Sequence, residues 1–176
     1  LALGIGGDHV SITGSAAEVT TLLGNDGADT VDLTGTDAGS TTRLVLGAGV
    51  NRVKLGGNGF GVDGLRGTIT LAGSGADLLE LDDSLSKTGR TYRLTATGLT
   101  GPSFNLISTG IASVAFKLGT GADTVTIDNV AAARQVTSYL LDLGHRRIGS
   151  ITGPLHLTTG RGRLDAGFHR IEGEVA

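Results

Sequence analysis

Four aspartates, Asp8, Asp29, Asp77 and Asp123, stand at the same step of a short recurring motif. Each follows a glycine-rich turn and precedes an alternating apolar stretch. If successive units stack in register, the column at that step reads Asp8, Asp29, Asn51, Asp77, Ser103 and Asp123. Stacked strands lie ~4.8 Å apart. Two carboxylates at that distance repel by ~1 kcal/mol in water and ~3.5 kcal/mol at an effective dielectric of ~20. Asp8 and Asp29 are the one pair of adjacent aspartates, since Asn51 and Ser103 separate the others. Asp, Asn and Ser share a different capacity: each accepts a hydrogen bond from a nearby backbone N–H and closes a tight turn. That role suits all six residues, so turn closure is the expected use of the column.

A second group of acids is Glu80, Asp82 and Asp83, with Arg90 and Arg93 close in sequence. Clustered carboxylates in a groove are what acid–base cleavage of a glycosidic bond needs. No aromatic platform for a sugar ring accompanies them, and no distinctive acid–base motif does either, so the expectation is a non-catalytic chain. The next outward column runs Ser11, Asp32, Lys54, Glu80. Alternating charge on adjacent strands gives favourable cross-strand pairs of ~0.2–1 kcal/mol each, so Lys54 and Glu80 read as a stacking device. His9, His145, His156 and His169 are dispersed, without metal-ligand spacing. Gly-x-Gly is followed by a strand pattern rather than a helix, which excludes the dinucleotide and phosphate-loop motifs. Thr-x-Thr occurs at 68/70, 95/97 and 124/126, at different steps of the repeat, so no single ordered threonine face for ice is expected.

These residues are held by a repeat of the form Leu-Gly-x-Gly-x-Asp-x-Val-x-Ile. It is clearest at Leu3–Ile12, Leu23–Leu33, Leu46–Leu55, Gly73–Leu81 and Leu118–Ile127, with degenerate copies near Gly98, Gly144 and Gly160. The first glycines fall at 4, 24, 47, 73, 98, 119, 144 and 160, a loose period in the twenties that marks solenoids and arrays. Apolar residues alternate before the turn (Leu44/Leu46, Ile69/Leu71, Phe116/Leu118, Leu141/Leu143) and after it (Val10/Ile12, Val31/Leu33, Val53/Leu55, Leu79/Leu81, Val125/Ile127). Alternation at period two is the mark of a half-buried strand. Val130–Leu141 is the one stretch open to a helical reading. Short glycine turns also suit antiparallel hairpins, but recurrence of residue types at each step favours stacked parallel coils, wound right-handed by crossover chirality. The expected fold is therefore all-β: a right-handed parallel β-helix, or β-solenoid, of about eight coils with twenty-odd residues each. Residues 1–176 form a single segment, and the coils from 144 onward are degenerate.

Composition narrows the function classes. The chain has 176 residues, 31 of them Gly, no Cys, Met or Trp, and 3% aromatics. Without Cys there are no disulfides and no thiolate zinc sites. No run approaches the ~18 apolar residues of a membrane span. Net charge is −6 over residues 1–88 and +3 over 89–176. The basic residues Arg146, Arg147, Arg161, Arg163 and Arg170 are suited to an anionic partner. No basic stripe is interleaved with aromatics, so nucleic acid is not expected. The chain opens at Leu1 with no basic and apolar leader pattern and reads as a piece of something longer.

Gly24-Asn25-Asp26-Gly27-Ala28-Asp29-Thr30-Val31 resembles the haemolysin-type (repeats-in-toxin) calcium-binding nonapeptide, Gly-Gly-x-Gly-x-Asp-x-apolar-x. Gly75-Ala76-Asp77 and Gly121-Ala122-Asp123-Thr124-Val125 are similar to it. The tract from Leu81-Asp82-Asp83-Ser84 through Leu94 to Ile127 resembles stretches of very large bacterial surface proteins. The resemblance covers roughly residues 3–127. It implies a structural or adhesive segment of a secreted or cell-surface protein, located outside the cell. Its partners would be neighbouring coils of the parent chain and a cell-surface glycan or protein. It also implies, as an alternative, a calcium-binding module with Asp8, Asp29, Asp77 and Asp123 supplying oxygens. Calcium takes six to eight oxygens and would turn the repulsion of Asp8 and Asp29 into attraction. In that family the nonapeptides follow in direct tandem, whereas here they stand twenty-odd residues apart.

Overall fold

A computed structural model describes residues 1–15, 18–59 and 61–128, together with Arg134, Ser138 and residues 141–144. The expected units around Gly160, the basic cluster from Arg146 to Arg170, and His145, His156 and His169 lie outside the described residues. The chain divides into two compact units. One comprises Leu1–Arg93 with Thr97–Thr126, the other Leu94–Ala96 with Ile127–Ala176.

The architecture is β throughout its named elements: β1 (His9–Ile12), β2 (Val19–Leu23), β3 (Thr30–Leu33), β4 (Thr41–Val45), β5 (Arg52–Gly56), β6 (Thr68–Asp82), β7 (Thr91–Thr95), β8 (Gly98–Thr100), β9 (Asn105–Lys117) and β10 (Thr124–Ile127). They form an open sheet ordered β1-β3-β5-β6-β9-β8-β7-β10, with β2 and β4 in a side row that joins at β6. Two rows of parallel strands result. The first joins His9 to Thr30, Thr30 to Arg52, Val53 to Leu79 and Leu79 to Val114. The second joins Leu22 to Leu44, Leu44 to Leu71 and Leu71 to Ser108. Partners are thus 21, 22, 26 and 35 residues apart in the first row and 22, 27 and 37 in the second. β6 and β9 are long enough to contribute to both rows.

Alternation places one side chain in two inside. In the first row Val31, Val53 and Leu79, and Leu33, Leu55 and Leu81, are at most 2% exposed. In the second, Leu22, Leu44 and Leu71 stack in the same way, beside Thr42, Ile69 and Leu106. Each such burial is worth ~1.5–3 kcal/mol. Val10 and Ile12 at the first level, and Val114 and Phe116 at the last, sit in the same columns but are only partly covered. The turns stack as tightly as the strands. Gly47 has φ +77°, and a Cβ there would fall 1.7 Å from the Asn25 carbonyl oxygen one level away. Only glycine fits, because the backbones of successive turns touch.

Three expectations are corrected. The unit at Gly98 is not another parallel level. The turn Gly101-Pro102-Ser103-Phe104, closed by Gly101 N–H donating to the Phe104 carbonyl at 3.1 Å, sends β8 back antiparallel on β9. Ser103 accordingly leaves the aspartate column and donates its hydroxyl to the Leu65 carbonyl at 2.7 Å. Leu141 and Leu143 were expected on a strand, but Leu141 and Asp142 are helical and a turn follows at 143–144. In the second unit, Asp128 N–H donates to the Leu94 carbonyl at 2.9 Å. No described helix is long and apolar enough to cross a membrane.

Candidate functional site

The column of aspartates is brought together as a ladder of hydrogen bonds. Asp29 Oδ1 accepts from Asp8 N–H at 2.9 Å, Asn51 Oδ1 from Asp29 N–H at 2.8 Å, and Asp77 Oδ1 from Asn51 N–H at 2.8 Å. The residue after each acceptor closes the joint from the other side. Thr30, Arg52 and Leu78 donate their N–H to the carbonyls of Asp8, Asp29 and Asn51 at 2.8, 2.8 and 2.9 Å. Each of these three steps, from β1 to β3, β3 to β5 and β5 to β6, is therefore clasped by a side-chain acceptor and a backbone donor. Asp29, Asn51 and Asp77 are at most 1% exposed. Buried N–H groups require partners, and here the partner is a side chain because the turn has carried the backbone out of strand geometry.

Asn51 does more than interrupt the charges. Its amide Nδ2 donates to Asp77 Oδ1 at 2.9 Å, a bond that an aspartate at that position has no hydrogen to make at neutral pH. Asp77 is filled at both oxygens, since Oδ2 also accepts from Ser74 N–H and from the Ser74 hydroxyl at 3.2 Å. Asp123 is not stacked on Asp77, which faces Ile111. It repeats the same joint elsewhere: Asp123 Oδ1 accepts from Arg90 N–H at 2.9 Å, and Thr124 N–H donates to the Arg90 carbonyl at 2.8 Å. Arg90 was missed as a column member because it lacks the Gly-x-Gly-x-Asp signature. The available signal was position, since Arg90, like Asp8, Asp29 and Asn51, immediately precedes a strand.

The second oxygens bear on calcium. Oδ2 of Asp8, Asp29 and Asp123 is shielded from solvent and has no hydrogen-bond partner. Such oxygens are the donors a hard cation takes. Among the described residues no three of His, Asp and Glu gather into a metal-holding group. A cation would therefore rest on one or two carboxylates plus turn carbonyls.

The acids near β6 form two networks. On the outward face, Glu80 pairs with Arg52 and, at 2.7 Å, with Lys117, while Lys54 pairs with Asp82 at 2.9 Å. His9 meets Asp32 at 2.8 Å on the same face. The register partners are Asp32↔Lys54 and Lys54↔Glu80, as the column predicted, but the ion pairs of Lys54 and Glu80 run diagonally. Lys117, then Arg52, hold the Glu80 carboxyl below its ordinary range against the opposing effect of burial. Burial pushes Asp82 up, yet the Ser84 hydroxyl and N–H and the Lys54 ammonium more than reverse this and leave it at about 2. The bond to Asp82 in turn raises Lys54.

Asp83, the next residue, turns inward and is fully buried. It accepts from the Tyr92 hydroxyl at 2.7 Å and from Val62 N–H at 3.2 Å, and pairs with Arg90 Nε at 3.0 Å. Arg90 also reaches Asp63 at 2.7 Å. Burial first, then the Asp83 carboxylate, drive the Tyr92 phenol far above its ordinary value. Glu80, Asp82 and Asp83 each already hold a cation, so none is a bare carboxylate facing a groove.

No family model matches this chain, and no curated protein or solved structure matches it either.

Proposed function

We propose that the chain is a non-catalytic structural or adhesive segment of a large secreted or cell-surface bacterial protein, built as a right-handed parallel β-solenoid. The observation that carries this is the ladder. Asp8, Asp29, Asn51 and Asp77 are joined level to level by the same pair of hydrogen bonds. A repeat that spends fully buried polar residues on joining levels is suited to bearing load and presenting a surface. The pairing of Glu80, Asp82 and Asp83 with basic residues favours the non-catalytic role, since acid–base work needs a carboxyl free to exchange its proton with substrate. The exposed partner is a cell-surface glycan or protein, and the other partners are neighbouring coils of the parent chain.

Single-molecule extension tests the load-bearing role. At ~3.4 Å per residue, a level of 22 residues releases ~7.5 nm. Resisted extension with increments of that size, or multiples of it, is the expected result; extension without resistance overturns the spacer function.

A second function, calcium binding, is favoured by the shielded and unpartnered Oδ2 atoms of Asp8, Asp29 and Asp123. Thermal melts in EDTA and in ~5 mM Ca²⁺, above the millimolar affinity of extracellular modules, separate the two. Equal midpoints leave the aspartates as joints; a calcium-dependent rise means native-state binding.

A further inference from the structure

We propose that the free edge of β1 is a strand-addition site, keyed by Asp8, for a further coil of this same repeat. The inference rests on the stacked arrangement above and names the partner of its first level.

Among the described residues β1 pairs only with β3. Thr30 N–H bonds to the Asp8 carbonyl and Thr34 N–H to the Ile12 carbonyl. In a parallel ladder, alternate residues turn their backbone groups to opposite neighbours. Residues 8, 10 and 12 therefore face β3, and the N–H and C=O groups of His9 and Ser11 face the open side.

Each joint further down needs four groups: an N–H and a C=O from the upper level, and a carboxylate or amide oxygen and an N–H from the lower. At β1 the lower half of such a joint is present and the upper half is not. Asp8 offers the acceptor, and His9 N–H corresponds to the donor supplied by Thr30, Arg52 and Leu78. Asp8 Oδ2 is shielded from solvent with no partner, although Asp8 itself is only part-buried. The apolar column tells the same story. Val10 and Ile12 are partly covered where Val31 and Leu33 are sealed, and Leu1, Ile5 and Val19 are 73%, 87% and 61% exposed.

Sheet edges that must stay unpaired are ordinarily blunted by Lys, Pro or a bulge. The β1 sequence His-Val-Ser-Ile has no Lys or Pro, and its register with β3 is unbroken. The site asks three things of an occupant. It must run parallel to β1. It must place apolar residues two apart over Val10 and Ile12. It must present a backbone N–H, hence no proline, above Asp8. The repeat's own turn-and-strand unit meets all three.

The test uses the full chain and a labelled peptide with the sequence of residues 24–34, followed by fluorescence anisotropy. Saturable one-to-one binding is expected. Asp8→Ala should weaken it about tenfold or more, as for loss of a hydrogen bond to a charged group. A peptide N-methylated at the amide of its Asp29 should lose a similar factor, and the two losses should not add. Absence of saturable binding, indifference to both changes, or equal binding of a scrambled peptide overturns the site. Amide exchange of Val31 and Val53 on the same samples keeps two failures apart. Slow exchange without peptide binding overturns the edge site alone, whereas fast exchange overturns the stack and the edge site with it. Among the described residues Asp8→Ala removes no side-chain hydrogen bond or ion pair, and the same exchange measurement checks that its fold is intact.

Discussion

Two polar columns run along the first row of strands, one at the turn-to-strand step and one on the outward face, and they are held together in opposite ways. The inner column (Asp8, Asp29, Asn51, Asp77) is almost wholly buried and joins side-chain oxygens to backbone N–H groups. The outer one (Arg52, Lys54, Glu80, Asp82, Lys117) is exposed on at least one side of most contacts and joins charge to charge. Asp82 and Asp83 divide between the two sides while adjacent in the chain, Asp82 outward with Lys54 and Asp83 inward with Tyr92, Arg90 and Val62. The inner contacts fix which residue lies above which, because a buried N–H has one acceptor within reach. The outer contacts tolerate choice, which is why Lys54 bonds to Asp82 although Glu80 is its register partner. Register is thus set from inside, and the outer charges settle into it.

This contrast is open to breakage, and the strongest blow falls inside. Asp83→Ala leaves the Tyr92 hydroxyl and Val62 N–H without their acceptor in a dry site and takes from Arg90 the buried one of its two carboxylates. Breaking a buried pair costs ~3–5 kcal/mol, and urea denaturation should show a loss of that size. Asp77→Ala removes the acceptor for Asn51 and Ser74 together. With ~1–3 kcal/mol for each buried group left unpaired, a loss of ~3 kcal/mol is expected in the same assay. N51D sharpens the matter further. It deletes the Asn51 to Asp77 amide bond and makes the inner column continuously acidic, at a cost of ~2 kcal/mol by comparison with the ~3.5 kcal/mol repulsion at an intermediate dielectric. If ~5 mM calcium restores that loss and raises N51D more than the unaltered chain, the column is a cation site with one position closed by asparagine; if calcium changes neither, the joints are purely hydrogen-bonded.

Outer changes should be smaller and should answer to the solvent. Asp82 titrates at about 2, below its ordinary 3.8. Its contribution is therefore complete above about pH 4 and is lost as the pH falls toward 2. Melting midpoints measured over that window should drop, and Asp82→Asn should flatten the drop. Glu80→Gln weakens two partly exposed pairs and should cost ~0.5–1 kcal/mol, less in 1 M salt. A loss as large as that of Asp77→Ala would abolish the distinction between the columns.

Much of the first row was legible because period-two alternation survives from unit to unit. The column Ser11, Asp32, Lys54, Glu80 read from the sequence is the observed register. What the pattern did not contain was reach. An aspartate after a glycine turn was expected to close its own turn, yet Asp29 and Asn51 bond one level away. Only Asp77 does both, through Ser74. The reversal at Gly101-Pro102 was hidden because a four-residue turn weighs little beside a repeat of twenty-odd residues. Arg90 was hidden because the joint uses its backbone, which any residue other than proline supplies.

The unequal spacing of the levels has a consequence for how such a chain changes length. Partners lie 21 to 37 residues apart, yet the joints of Asp8, Asn51 and Arg90 have the same two bonds. The joint is conserved in geometry while the connecting segment absorbs every difference. Deleting Thr30 alone would turn Val31 and Leu33 out to water, because faces alternate along a strand. Excising Asp29 through Val50 as a block would instead set Asn51 beneath Asp8, acceptor to N–H, and leave Asn51 on Asp77, with β2 brought to β6. Gain and loss in this molecule come in whole storeys, and a gene that duplicates or drops one has no interior to redesign.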